Sequence, residues 1–134
     1  MSVMITPIFA GLLALLYVVL TIRVIAARRS ERIGLGDQGN RKLIRRMRAH
    51  SNCAEYAPFA LLLLLMLELM NGAPLLLWGL GTVLVAGRIA HAYGFSQEPE
   101  LGNLRVVGMV LTFAVIVIAA LANLVLAVNG SFLS

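Results

Sequence analysis

The chain has 134 residues, 60% of them hydrophobic and 13% charged, with a formal net charge of +5 and a mean hydropathy of +0.93. These values exclude an ordinary soluble domain, whose apolar share is about half, and the length allows one domain, residues 1–134. They also leave no nucleic-acid module, because the basic run carries no interleaved aromatics and no folded reader around it.

The first predicted element is Thr6–Ala27, long enough to cross a bilayer, for which about 20 apolar residues are needed. It lacks the basic n-region of a signal peptide, since its first charge is Arg23. It also exceeds the usual h-region and has no small-residue cleavage site, so it reads as a first span. The connection from Arg28 to Arg48 holds eight Lys/Arg against Glu31 and Asp37. The positive-inside rule therefore puts this connection in the cytoplasm. Arg32, Arg41, Lys42, Arg45 and Arg46 set topology and touch anionic lipid headgroups. The stretch Gly34–Asn40 reads as a turn.

The second span is Cys53–Met70. Arg48, Asn52 and Glu55 fall at i, i+4 and i+7 on one helical face, with Tyr56 beside it. Pro58 is expected in the first turns, where a missing N–H costs little. Cys53 is expected to be a packing residue; as the only cysteine it excludes an intrachain disulfide, and no metal-site spacing is present. His50 reads as a solvated interfacial side chain and Glu68 as a residue of the far interface. A tight "NGAP" turn, Asn71–Pro74, leads to the third span, Ala73–Tyr93. Trp78, like Tyr17 in span one, reads as an interface or packing aromatic. Arg88 and His91 share a face and Tyr93 is offset. Ala86, Ala90 and Gly94 form a small-residue row that lets a helix approach closely. In the connection from Phe95 to Arg105, Glu98 and Glu100 read as solvated charges and Asn103 as a cap for the last helix. The fourth span, Val106–Val128, has no charge. Both termini and the "NGAP" turn then face the compartment opposite the cytoplasm. The expected fold is all-α: an integral membrane four-helix bundle.

The polar residues converge at one depth. Asn52, Glu55 and Tyr56 open span two; Arg88, His91 and Tyr93 close span three; Arg28 and Arg29 close span one; Arg105 precedes span four. Charges within a bilayer cost roughly 2.5–3.5 kcal/mol each on insertion scales, so they face the bundle or an aqueous cavity. Glu55 could merely clamp helices by pairing with Arg48 or Arg88. The basic groups outnumber the carboxylates, however, and the surplus suits an anionic polar ligand. Positive charge also turns a thiol into the nucleophilic thiolate, which a lipid-soluble electrophile could reach sideways from the bilayer.

At these residues the chain resembles the MAPEG family, the membrane-associated proteins of eicosanoid and glutathione metabolism. The resemblance is carried by "RAHSNCAEYAPF" at Arg48–Phe59, which fits the family pattern R-A-x-x-N-x-x-E, and is supported by "VIAARRS" and by "GRIAHAYGF" at Gly87–Phe95. It is nearest in character to small bacterial inner-membrane members, with periplasmic termini and a site facing the cytoplasm. It implies a homotrimer with glutathione bound between subunits. Arg48, Asn52, Glu55 and Tyr56 would hold glutathione. Arg105 would stabilise its thiolate, and Arg28 or Arg29 would lie near the reacting end. Arg88, His91 and Tyr93 would line the site. Three differences stand out: Ser51 where one branch has a second arginine, Phe95 where several catalytic members have tyrosine, and a connection from Phe95 to Arg105 longer than in the leukotriene branch. The expected activity is a membrane-bound glutathione-dependent transferase or peroxidase acting on a hydrophobic electrophile or lipid hydroperoxide. A non-catalytic member binding a lipid or partner protein, and a plain structural protein with an Arg/Glu clamp, are the rivals.

Overall fold

The computed structural model describes residues 2–133, with side chains through Ser131. Four helices follow one another: α1 Thr6–Glu31, α2 Arg41–Leu69, α3 Pro74–Ser96 and α4 Gly102–Leu133. All four are long and apolar enough to cross a membrane, and no strand occurs among the described residues. α2 packs against each of the other three, α3 lies between α2 and α4 and touches α1, and α1 and α4 do not meet.

The first N–H groups of a helix need partners from outside it, and α2 starts where the sequence supplies one. Asn40 caps α2, its side-chain oxygen accepting from Leu43 N–H at 2.9 Å. α2 therefore begins twelve residues before the second apolar window. Its 29 residues extend about 43 Å at 1.5 Å per residue, well beyond a hydrocarbon core of about 30 Å. The Arg41–Arg48 part is thus a helical arm at the basic end rather than a loop. Pro58 is correspondingly deep inside α2, not in its first turns. Asn103 lies within α4 and does not cap it; the helix instead opens with Arg105 N–H donating to the Leu101 carbonyl at 3.2 Å.

At the opposite end, Glu68 has a specific task. Its carboxylate accepts from the backbone N–H groups of Met4, Ile5 and Thr6, each at 2.7 Å. A carboxylate at a helix N-terminus satisfies orphan donors and opposes the helix dipole. The end of α2 thereby fixes the start of α1. Nearby, Asn123 of α4 donates to the carbonyls of Leu63 and Ala119 at 2.9 and 2.8 Å, joining α4 to α2.

The core between these ends is Leu13, Leu20, Ala57, Ala60, Leu64, Leu67, Leu77, Leu84, Val115 and Ala119. In lipid such packing is van der Waals fit rather than escape from water. Small residues set the closest approach, though not the row expected. Ala86 is exposed and Ala90 half-buried, whereas Gly87 and Gly94 are buried. A Cβ on Gly108 of α4 would strike the Gly87 carbonyl and the backbone and Cβ of His91. The α3–α4 crossing is therefore closest where the polar residues lie.

Candidate functional site

Arg88 is the most buried charged side chain among the described residues, with 1% of its surface exposed. Its Nη1 donates to Asn52 Oδ1 at 2.6 Å and to the Asn52 carbonyl at 3.3 Å. Its Nη2 points at the Met109 sulfur, 3.3 Å away. The guanidinium carbon lies 5.8 Å from the centre of the Tyr56 ring, within cation–π range. Tyr56 in turn meets Phe113 edge to face at 5.6 Å. No carboxylate pairs with Arg88 among the described residues, and its buried Nε has no partner. The cation is held by an amide, a thioether and a ring.

His91, one turn further along α3, is 3% exposed. Its ring lies 5.7 Å from Phe95. Phe95 also meets Arg105, with the guanidinium carbon 5.2 Å from the ring centre. Arg105 Nη1 also contacts Glu100 Oε1 at 2.6 Å, while the second Glu100 oxygen takes Arg45 Nη1 at 3.1 Å. Glu100 is thus a bridge between two arginines and not the solvated charge expected. Gly94 makes the arrangement possible. A Cβ there would meet Arg105 N, the Leu101 carbonyl oxygen and Leu104 Cβ, and the Gly94 carbonyl accepts from Leu101 N–H at 3.1 Å.

Two openings flank Phe95. One, of about 50 Å³, is lined by Arg48, Ser51, Asn52, Glu55 and Phe95. The other, of about 290 Å³, is lined by Arg41, Ile44, Arg45, Arg48, Phe95 and Glu100. Around them stand the guanidinium groups of Arg45, Arg48, Arg88 and Arg105 against the carboxylates of Glu55 and Glu100. Glu55 makes no ion pair among the described residues, so the Glu55 clamp with Arg48 or Arg88 does not form. A basic, partly desolvated recess of this kind holds carboxylates and favours a thiolate over a thiol.

Arg48, Asn52, Glu55, His91 and Arg105 are therefore gathered around Phe95, with Arg88 and Tyr56 joined to them through Asn52. Arg28 turns away: its Nη1 binds the carbonyls of Gly36 at 2.8 Å and Ile33 at 3.4 Å, pinning the first connection. Arg29 is exposed with no side-chain partner among the described residues. Tyr93, 54% exposed, lies on another face of α3. His50 is not simply solvated; it stacks on Tyr17 at 4.7 Å and its Nε2 lies 3.1 Å from Thr21 Oγ1. Arg45, Glu100 and Met109 were missed by sequence reasoning. Only Arg45 had a signal, its place four residues before Ala49 on the arm that also carries Arg41 and Arg48.

Fold and recess together define an integral membrane four-helix protein with a basic polar site at one end of the bundle. The MAPEG family model matches residues 6–125, and the chain belongs to that family. It is 38% identical over 122 residues to the inner membrane protein YecN of Escherichia coli strain K12, an alignment covering 90% of this chain and 91% of that protein. The inner membrane protein YecN of Escherichia coli O6:H1 strain CFT073 matches to the same extent.

Proposed function

We propose that the protein is a membrane-bound glutathione-dependent transferase or peroxidase. The observation that carries this reading is the surplus of guanidinium groups at one place, Arg45 and Arg48 on the recesses beside Phe95 and Arg105 against the Phe95 ring. Glutathione offers two carboxylates, an ammonium and a thiol. Glu55, without an ion-pair partner among the described residues, accepts from the ammonium. Arg48 and Asn52 hold a carboxylate and the peptide groups, with Tyr56 and Arg88 behind Asn52 fixing its amide. His91 stands on the helix-three side. Arg105 stabilises the sulfur as thiolate after its proton passes to water. Arg29, with Arg28 committed to the first connection, turns toward the reacting end.

The thiolate then attacks. With an electrophilic carbon, an S–C bond forms and the leaving group departs with its electron pair. With a lipid hydroperoxide, sulfur attacks the terminal oxygen, the O–O bond breaks, and the alkoxide takes a proton. A second glutathione converts the resulting sulfenic acid to the disulfide and water. The larger recess is open to the surface of the single chain, which supports a homotrimer closing the site between neighbouring copies. The name of the relatives supports an inner-membrane setting. The positive-inside rule puts the basic end in the cytoplasm and both termini in the periplasm.

The test is turnover of glutathione with a halogenated aromatic electrophile by purified, detergent-solubilised protein. E55Q and R48A are expected to lose glutathione binding; unchanged binding in both sinks the assignment. Phe95 favours a second reading, a non-catalytic lipid- or partner-binding member, because it sets a ring without a hydroxyl against Arg105. Glutathione binding without turnover of either substrate class supports that one.

A further inference from the structure

The pocket that would receive a ligand carboxylate already contains one. Both oxygens of Glu100 are used, one on Arg105 at 2.6 Å and one on Arg45 at 3.1 Å. The carboxylate forms part of the wall of the larger recess, beside Arg41 and Arg48. It is carried not by a helix but by the connection 97–101 between α3 and α4. That connection is tied to α3 through Leu101 and Gly94, one residue beyond Glu100, so the Glu100 side chain can swing while the backbone stays. Its side chain is 25% exposed, as a group at a pocket mouth should be.

We infer that Glu100 is an internal anion latched across Arg45 and Arg105, and that an entering ligand carboxylate displaces it from both, taking Arg45 and leaving Arg105 free for the thiol. The inference rests on the site being a glutathione site. Its physical content is competition. Two arginines shared by one carboxylate carry one excess positive charge, enough to attract a second anion but not to hold both bidentately. A site that spends most of its time closed by its own side chain has an apparent affinity lowered by the open fraction. The latch also keeps Arg105 from gripping anions that lack a carboxylate in the right place, which is specificity by an internal competitor.

The test compares wild type, E100Q and E98Q in two measurements. E98Q is the control, because Glu98 only approaches exposed Arg41 at 3.9 Å. The first measurement is the rate of phenylglyoxal modification of Arg45 and Arg105, followed by peptide mass spectrometry without any ligand. The second is calorimetric affinity for glutathione. E100Q is expected to raise modification of both arginines and tighten glutathione binding, each by about two- to fivefold, as loss of a partly exposed ion pair allows; E98Q leaves both unchanged. E100D, shorter by one methylene, is expected to fall between. Unchanged arginine reactivity in E100Q and E100D overturns the latch. Weaker glutathione binding in E100Q also overturns it, because Glu100 is then a support for the site. Raised reactivity with no glutathione binding by any variant upholds the latch over the arginine pair and overturns the glutathione reading instead.

Discussion

Arg88 sits in the bundle with an amide, a thioether and a ring where a carboxylate would ordinarily stand. Removing a buried cation's acceptor leaves it unsatisfied, which costs about 1–3 kcal/mol. Asn52→Ala is therefore expected to destabilise the folded protein by about 2 kcal/mol in denaturation from detergent micelles. Asn52→Asp, which supplies a charge partner at the same reach, should recover most of that loss. Equal stability of N52A and wild type would mean the Arg88–Asn52 bond contributes nothing. The same residue shows what a sequence can disclose. The i, i+4, i+7 spacing placed Arg48, Asn52 and Glu55 on one face of α2, and they line one recess. It could not say that Asn52 faces Arg88 rather than Glu55 doing so, because that depends on the register of α2 against α3.

At the scale of elements, two contacts fix how helices meet. Glu68 joins the end of α2 to the start of α1 through three backbone donors. Glu68→Ala should lower stability by about 1–2 kcal/mol, the range for losing a helix cap, and make residues 4–6 exchange amide hydrogen faster. Unaltered exchange there would remove Glu68 from this role. Gly94 holds the α3–α4 connection against α3. Gly94→Ala should push Leu101 and Arg105 outward and reduce turnover by about 100-fold, with helical content unchanged by circular dichroism. Full activity in G94A would show that Arg105 tolerates displacement. Neither contact was legible from periodicity. Glu68 lies 62 residues from Thr6 in the chain, and Glu100 lies 55 residues from Arg45; no local pattern marks such pairs. Helix existence was legible because apolar length dictates it, whereas the start of α2 was not, since a cap at Asn40 extends the helix through charged residues that no membrane window includes.

For the whole molecule, the polar end and the apolar flanks pose one question of assembly. Glu55 is exposed and has no ion-pair partner among the described residues, and the proposed topology puts it where a bilayer penalises charge. In the proposed trimer a neighbouring copy would cover that face, remove the cost and complete the recess. Native mass spectrometry from micelles is expected to give three times the 14.4 kDa chain mass; a monomer as the only species would leave the site open and contradict the proposed enclosure. The fold class needed no tertiary information, because four apolar windows joined by short connections admit little else. The site needed more: its arginine surplus was visible in composition, but the ring of Phe95 that organises it, and the carboxylate that occupies it, emerge only when α3 turns back into α4.

The most direct measurement is the ultraviolet thiolate absorbance that develops when glutathione is added to the purified protein near neutral pH, compared between wild type and Arg105→Ala. Wild type should show the thiolate band at saturation, and R105A should bind glutathione with the band absent. No band in wild type, or an undiminished band in R105A, would contradict the account of an arginine-gathered site that makes and holds a thiolate.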